Sequence, residues 1–530
     1  MNKIKKIIIL GGGQAAAYAA KEIKLIDVNS DITIISEEKH LPYERPPLSK
    51  DYILDKVLLN DFLFFSENFY KENNIKFLSS IKITKVDFNN KKISSSSNTY
   101  KYDKLLITTG CSNRYLKING KIIQPEENII YLRSIEESHN LKNKINKAHN
   151  ITIIGGGFIG LEIASSVFQK GKNVTILERG QQLMGRVIPK QIADLILEKH
   201  ESVGTKINLN TEIKKIQKDN KSFEIYLNTN QVLKSDLIIV GVGSLPNTDI
   251  FKNTSLKIDN GIITDEFSAT SVEDVYAAGD VSNFYHPFYE KHMRLESFKH
   301  AQNHGINAGK NIAGLQTSYN AIPWMWSDQF NLNLQLTGIC NDYETMAQRG
   351  SSLDEGIIYF FLKNRKIIGA CGLGVGGKIG RDIRLAGKLS EKKIKVTKQL
   401  LSSKNPNVVK GNSSFFPLTH SFSEGIYVRE MSMLKGGVVI GKIHNRSQTW
   451  FLMKGRLKIA NENGTITYNA PTYVNGLAGA KRVIYALEDS VFVNVHPNPS
   501  NEKNIEKLEK MLTCETYEAF EEYKQKNKII

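Results

Sequence analysis

One pattern occurs twice in this chain and restricts its fold more than any other: an apolar strand, a glycine-rich turn, a helix, a second strand and an acidic residue. The first copy covers residues 4–38, with a strand Ile4–Leu10, a small-residue helix Ala15–Leu25 and a strand Asp31–Ser36. The second covers residues 150–179, with Ile151–Ile154, Ile159–Lys170 and Asn173–Leu177 in the same order. Each is a βαβ unit whose turn sets backbone N–H groups at a helix start, where the glycines let a pyrophosphate approach. In the first turn, Gly11-Gly12-Gly13-Gln14-Ala15-Ala16, the fingerprint positions are Gly11, Gly13 and Ala16, and Glu37 is placed to accept hydrogen bonds from a ribose. Gly155, Gly157 and Gly160 make a complete GxGxxG, and Glu178 ends the next strand as the acceptor for a ribose 2′-hydroxyl. A glutamate there repels a 2′-phosphate and favours NAD(H), while the neighbouring Arg179 leaves NADPH open. Two turns of this kind predict two bound dinucleotides.

At 530 residues the chain exceeds one compact core, and its apolar and charged fractions, 41% and 24%, are those of a globular protein. Apolar runs such as Ile7–Leu10 and Leu237–Val240 fall far short of the ~20 residues that span a bilayer, so no membrane association is expected. Met1–Lys6 runs straight into a strand and leaves no room for a secretory signal, which predicts a cytoplasmic protein, monomer or homodimer. The net charge of +17 comes from dispersed lysines without a nucleic-acid-binding motif, so no nucleic-acid partner is expected. Alternating strands and helices reach about residue 320, followed by shorter strands (Gly356–Leu362, Lys366–Cys371) and a helix near Ile379–Ala386. A polar linker over Ser402–Ser414, short alternating strands over Gly425–His496 and a terminal helix over Glu502–Lys526 complete the chain.

Further motifs narrow the class. Leu105–Gly110 (LLITTG) and Val275–Asp280 (VYAAGD) suit a flavoprotein with two dinucleotide folds, Asp280 being an acceptor near the FAD ribityl chain. Together with Leu41–Lys50 (LPYERPPLSK), Gly241–Asn247 (GVGSLPN) and Trp326–Gln335 (WSDQFNLNLQ), they give residues 1–410 a pattern that resembles the FAD-dependent ferredoxin reductases of oxygenase electron chains, the putidaredoxin and rubredoxin reductase type. The resemblance implies an α/β fold: a discontinuous FAD domain (1–117 and 244–322), an NAD domain (118–243) and a small α+β reductase C-terminal domain (323–410). It further implies that Lys50 lies beside the flavin N5 edge and pairs with Glu162, and that Arg45, Ile83, Arg133 and Phe298 contact FAD. Trp326 would lie near the isoalloxazine where the electron acceptor docks, with core packing as the alternative for Trp324 and Trp326, and Gly243 would line the cofactor site.

Disulfide reductases of this fold carry a cysteine pair after the first βαβ unit, and peroxidase relatives carry one; that region here has none, and Cys111 follows the TTG turn. The implied activity is hydride transfer from NADH to FAD and electron delivery to a small iron–sulfur protein of ferredoxin or rubredoxin type. An NADH oxidase or diaphorase, and a redox-sensing interaction protein like apoptosis-inducing factor, are the alternatives.

Residues 411–530 form an appended all-β region. Gly425–Met433 (GIYVREMSM), Val438–His444 (VVIGKIH), Gly455–Ile459 (GRLKI) and Ala470-Pro471 resemble a cupin-like jelly roll. Of the metal-ligand positions of such domains only His444 matches, Arg446, Gln448 and Lys481 standing at others; His420 and His496 read as structural histidines. No metal is expected, and the region reads as a binding or assembly module.

Overall fold

The computed structural model describes residues 4–185, 187–364, 366–391, 418–461, 464–514 and 516–527. The chain divides into two compact units, with the break between residues 391 and 418. The expected linker Ser402–Ser414 and the expected boundary at 410 lie outside the described residues.

The first unit contains two five-stranded parallel sheets of the same topology. One runs Val275–Ala277, Lys104–Ile107, Lys6–Leu10, Asp31–Ile35, Ile75–Leu78. The other runs Ile129–Tyr131, Leu237–Val240, Asn150–Ile154, Asn173–Leu177, Lys206–Asn208. The central strands are runs of Ile, Val and Leu because helices cover both faces of such a sheet, and all but the first residue of Lys6–Leu10 and of Asn150–Ile154 is buried. In each sheet the central strand ends at the glycine turn, so both cofactor fingerprints sit at the carboxyl edge where ligands of open α/β sheets bind.

The helix Gln14–Ile26 is built from alanines because a second helix, Phe298–Ile312, lies almost backbone to backbone against it. A Cβ on Gly305 would stand 2.4 Å from the Ala15 carbonyl oxygen, and one on Gly309 2.8 Å from that of Ala19. This approach brings the Gly279–Val281 turn, which carries Asp280, up against Ala15 at the start of the first fingerprint helix.

The small α+β part is one antiparallel sheet in the order Trp324–Gln329, Leu332–Gly338, Lys366–Val375, Ile357–Lys363, Thr345–Arg349. Ile379, Ile383 and Ala386, at and inside the start of the helix Gly380–Glu391, pack on Ile358 and Ala370. The helix extends beyond the expected Ala386.

The second unit is a sandwich of two antiparallel sheets. The five-stranded sheet runs Leu418–Ser423, Gly425–Met433, Ser490–Asn498, Gln448–Lys454, Thr472–Gly476, and the four-stranded one Val438–Ile440, Val483–Ala486, Arg456–Asn461, Gly464–Asn469. Met431, Met433, Trp450, Leu452 and Phe492 from the first meet Leu457, Ile459, Ile484 and Ala486 from the second. The single terminal helix expected from the sequence is corrected to two, Ile505–Leu512 and Tyr517–Asn527. Between them Thr513–Cys514 pairs as a short strand with Ile443–His444, and the Thr513 hydroxyl turns back to donate to the Glu509 carbonyl, 2.8 Å. No helix among the described residues is long and apolar enough to cross a membrane.

Candidate functional site

Each glycine turn shows a division of labour among its residues. Gly11 and Gly155 have positive φ, +113° and +106°, and a Cβ on either would lie 2.3 Å from a carbonyl oxygen of the neighbouring strand end, Thr108 or Gly241. A Cβ on Gly160 would meet the Gly155 carbonyl oxygen at 2.1 Å, so only glycine lets that helix pack on its own turn. By contrast nothing stands within 4 Å of a Cβ at Gly13 or Gly157, which leaves open space at each helix start. The Gln14 Nε2, buried at the first of these starts, has no protein partner. These features fit two phosphate-bearing ligands. Glu178 accepts N–H groups from Gly156 (2.7 Å) and Gly180 (2.6 Å), which fixes its carboxylate beside the second turn. Glu37 is placed differently: its side chain is 67% exposed in an ion pair with Lys82 at 2.8 Å. The next carboxylate, Glu38, faces inward.

A polar network grows from Glu38. Tyr43 donates a hydrogen bond to it, as does Arg45 through Nη2 (2.5 Å), while Arg45 Nη1 donates to the Arg133 carbonyl (2.5 Å). Burial works to raise the Glu38 carboxyl, but the Arg45 charge and these hydrogen bonds outweigh it and hold it below the ordinary carboxylate range. Arg133 in turn reaches Asp280, Nη2 to Oδ2 at 2.7 Å. Arg45, Arg133 and Asp280, far apart in sequence, thus form one chain of contacts with Glu38 and Tyr43, which sequence reasoning missed although both flank the RPPLSK motif.

A second network centres on Lys50. Pro46 and Pro47 start a single 3-10 turn, Pro46–Ser49, which ends at Lys50. Lys50 Nζ lies 3.3 Å from Glu162 Oε1 and 3.8 Å from Asp328 Oδ2, and 5.6 Å above the Trp326 ring. Glu162, one turn into the helix Phe158–Gln169, is buried and accepts further hydrogen bonds from Ser49 Oγ (2.5 Å) and Ser327 Oγ (2.8 Å). Three segments, one from each part of the first unit, therefore close on one carboxylate. Ser49, Ser327 and Asp328 were not singled out from the sequence, although Ser49 adjoins Lys50, and Ser327 and Asp328 follow Trp326 directly. Phe298 begins the Phe298–Ile312 helix with its ring edge-on to Trp326 at 5.4 Å, and Trp324 stacks on Trp326 at 5.2 Å. Ile83 packs in the core with Leu10 and Ile35, and Gly243, at φ +104°, accepts the Arg114 N–H at 3.0 Å.

None of the four cysteines is paired. Burial pushes the Cys111 and Cys340 thiols up to about 12, and raises Cys371 and Cys514 as well. Cys111, beside Arg294 (3.2 Å), is the one near Asp280, and burial outweighs that arginine's charge. A thiolate nucleophile is therefore not available among them at neutral pH. Among the described residues no three His, Cys, Asp or Glu side chains gather as a metal site.

Two parallel sheets with glycine turns, joined by a partly buried lysine–glutamate pair, define an oxidoreductase with two dinucleotide sites. The sequence model described as pyridine nucleotide-disulphide oxidoreductase matches residues 5–305, and the chain belongs to that family. A second, described as reductase C-terminal, matches residues 324–409. The chain is 32% identical to a 3-phenylpropionate/cinnamic acid dioxygenase ferredoxin–NAD(+) reductase component of Photorhabdus laumondii over 71% of its length and 94% of the relative's. It is also 32% identical to the rubredoxin–NAD(+) reductase of Ectopseudomonas oleovorans, covering 64% of this chain and 88% of that one. The crystal structure of the ferredoxin reductase for the CYP199A2 system of Rhodopseudomonas palustris superposes with a TM-score of 0.71 at 28% identity, over 77% of this chain and all of that one.

Proposed function

We propose that this protein binds FAD in the first dinucleotide fold and NAD(H) in the second, takes a hydride from NADH, and delivers the electrons to a small iron–sulfur protein of ferredoxin or rubredoxin type. FAD, when bound, accepts two electrons as a hydride and releases them one at a time. Gly11, Gly13, Ala16, Glu37, Arg45, Ile83, Arg133, Asp280, Phe298 and Trp326 hold it, and Gly155, Gly157, Gly160, Glu178 and Gly243 hold the nicotinamide dinucleotide. The observation that carries this reading is the Lys50–Glu162 pair, 3.3 Å apart and backed by Ser49 and Ser327, in a chain whose thiols are all held protonated. Lys50 supplies a fixed positive charge at the flavin edge, Glu162 keeps it there, and no cysteine offers a covalent route for the electrons. The Glu178 carboxylate favours NADH over NADPH.

The second unit is read as a cupin-like jelly roll serving binding or assembly, supported by its two antiparallel sheets around one core. A cytoplasmic monomer or homodimer fits both units. Steady-state turnover with NADH against a ferredoxin, a rubredoxin, a quinone and O2 tests the function. Fast reduction of the iron–sulfur proteins with slow peroxide formation supports it, and preference for O2 or quinone replaces it with an oxidase or diaphorase.

A further inference from the structure

The inner face of the five-stranded sheet in the second unit is divided along its strands. At one end the cross-strand row is Met431, Phe492 and Leu452, all buried in the core. Two residues further along each strand the row becomes Arg429, Asn494 and Trp450. The next is Tyr427 and His496, with Gln448 on the same face of its strand as Trp450. His444 joins this end, its ring stacked on His496 at 5.4 Å.

A sandwich core built for stability alone would continue the apolar rows. Here four buried polar atoms in this region have no protein partner: Gln448 Oε1, Asn494 Oδ1, His444 Nδ1 and Trp450 Nε1. Their residues are all more than nine-tenths buried, so water does not freely satisfy them. The set includes both acceptors and a donor, which a bare ion cannot satisfy. The local charge is positive. Arg429 and Arg482 both act on His444, and Arg429 acts on His496. Glu509, 3.7 Å from Arg429 and 3.5 Å from Lys442, is one carboxylate beside these cations and offsets their charge only in part. Burial, helped by these charges, pushes His444 and His496 down to about 3, so both rings are neutral at pH 7 and each offers one donor and one acceptor. A divalent cation is a poor fit, because the two imidazoles lie face to face, 21° from parallel, and the positive charge of Arg429 acts on both.

We propose that this polar end of the sandwich binds a small organic acid carrying hydroxyl or amino donors beside its carboxylate, the carboxylate meeting Arg429 and the donors meeting Gln448, Asn494 and the histidines. All of these residues lie in the second unit, and the binding does not rest on the activity proposed for the first.

Calorimetric titration of the full-length protein with gluconate, L-malate, L-glutamate, acetate, inorganic phosphate and Zn2+ tests it. At least one of the first three binds with a submillimolar Kd, and acetate and phosphate bind at least about tenfold more weakly because they bring too few donors. Arg429→Gln weakens binding by about tenfold or more while flavin content and NADH turnover stay unchanged. Gln448→Leu, which keeps the charge and removes one amide, weakens it by about fivefold and serves if the arginine variant does not fold. The proposal is overturned if none of the three acids binds at millimolar concentration, if acetate or phosphate binds equally well, if both variants bind unchanged, or if Zn2+ binds and His444→Ala abolishes that binding.

Discussion

Glu162 carries more of this structure than its position in a helix suggests. Its carboxylate is buried and accepts from Ser49, Lys50 and Ser327, so it ties together three segments that lie far apart in the sequence. Lys50→Ala removes a charge but leaves Glu162 with two hydroxyl donors, and the fold is expected to survive. Stopped-flow reduction of the bound flavin by NADH slows by about tenfold or more in that variant, since a hydrogen bond to a charged group contributes about 1.5–3 kcal/mol. Unchanged reduction would remove Lys50 from the reaction. Glu162→Leu is the harsher change, stranding Lys50 and two serine hydroxyls in a buried place. We expect a loss of about 3 kcal/mol in urea unfolding, against less than about 1 kcal/mol for Lys50→Ala. Lys50 and Glu162 were legible from the family motif. Their serine partners were not, because a hydroxyl near a motif carries no signal until the chain folds it onto an acceptor. Glu37 was legible only as an acid after a strand, and the strand's exit turns it outward to Lys82 while Glu38 turns in.

The elements that position the site depend on close backbone approach. The alanine-rich stretch after the first glycine turn is readable as a helix, yet the reason for its small residues lies nearly 300 positions away in Gly305 and Gly309. Gly305→Leu would force the two helices apart, because even its Cβ overlaps the Ala15 carbonyl. The expected cost is about 1–3 kcal/mol by overpacking, with the Gly279–Val281 turn displaced and flavin retention reduced. The ratio of flavin to protein absorbance after gel filtration reads this directly, and full flavin occupancy would show that the helix pair does not set the turn. The break between the two terminal helices was hidden for a related reason: Ile505, Leu508 and Leu512 keep helical spacing up to the break, and only pairing with Ile443–His444 makes the next two residues a strand.

Across the whole molecule, buried neutral histidines set the response to acid. In the first unit burial pushes His200 down to about 4, His300 to about 3 and His304 well below its usual 6.5. Below that value the unfolded chain binds protons that the folded chain refuses, so stability is full above it and falls as pH drops toward the folded values. Each histidine contributes up to about 1.4 kcal/mol per pH unit, so going from about pH 7.5 to about pH 5.5 should lower the melting temperature markedly. Replacing His304 by Gln should flatten that fall, and an equal fall in the variant would remove His304 from it. Sequence alone determined the two dinucleotide folds, since strand periodicity, glycine turns and terminal acids are local patterns that short-range sterics and hydrogen bonding enforce. The alternating strand pattern that forms the sandwich between Leu418 and Asn498 was local in the same way. Tertiary structure alone decided which carboxylate receives Lys50, which acid faces inward and which buried polar atoms the sandwich gathers, because those depend on distant segments meeting at a few ångströms.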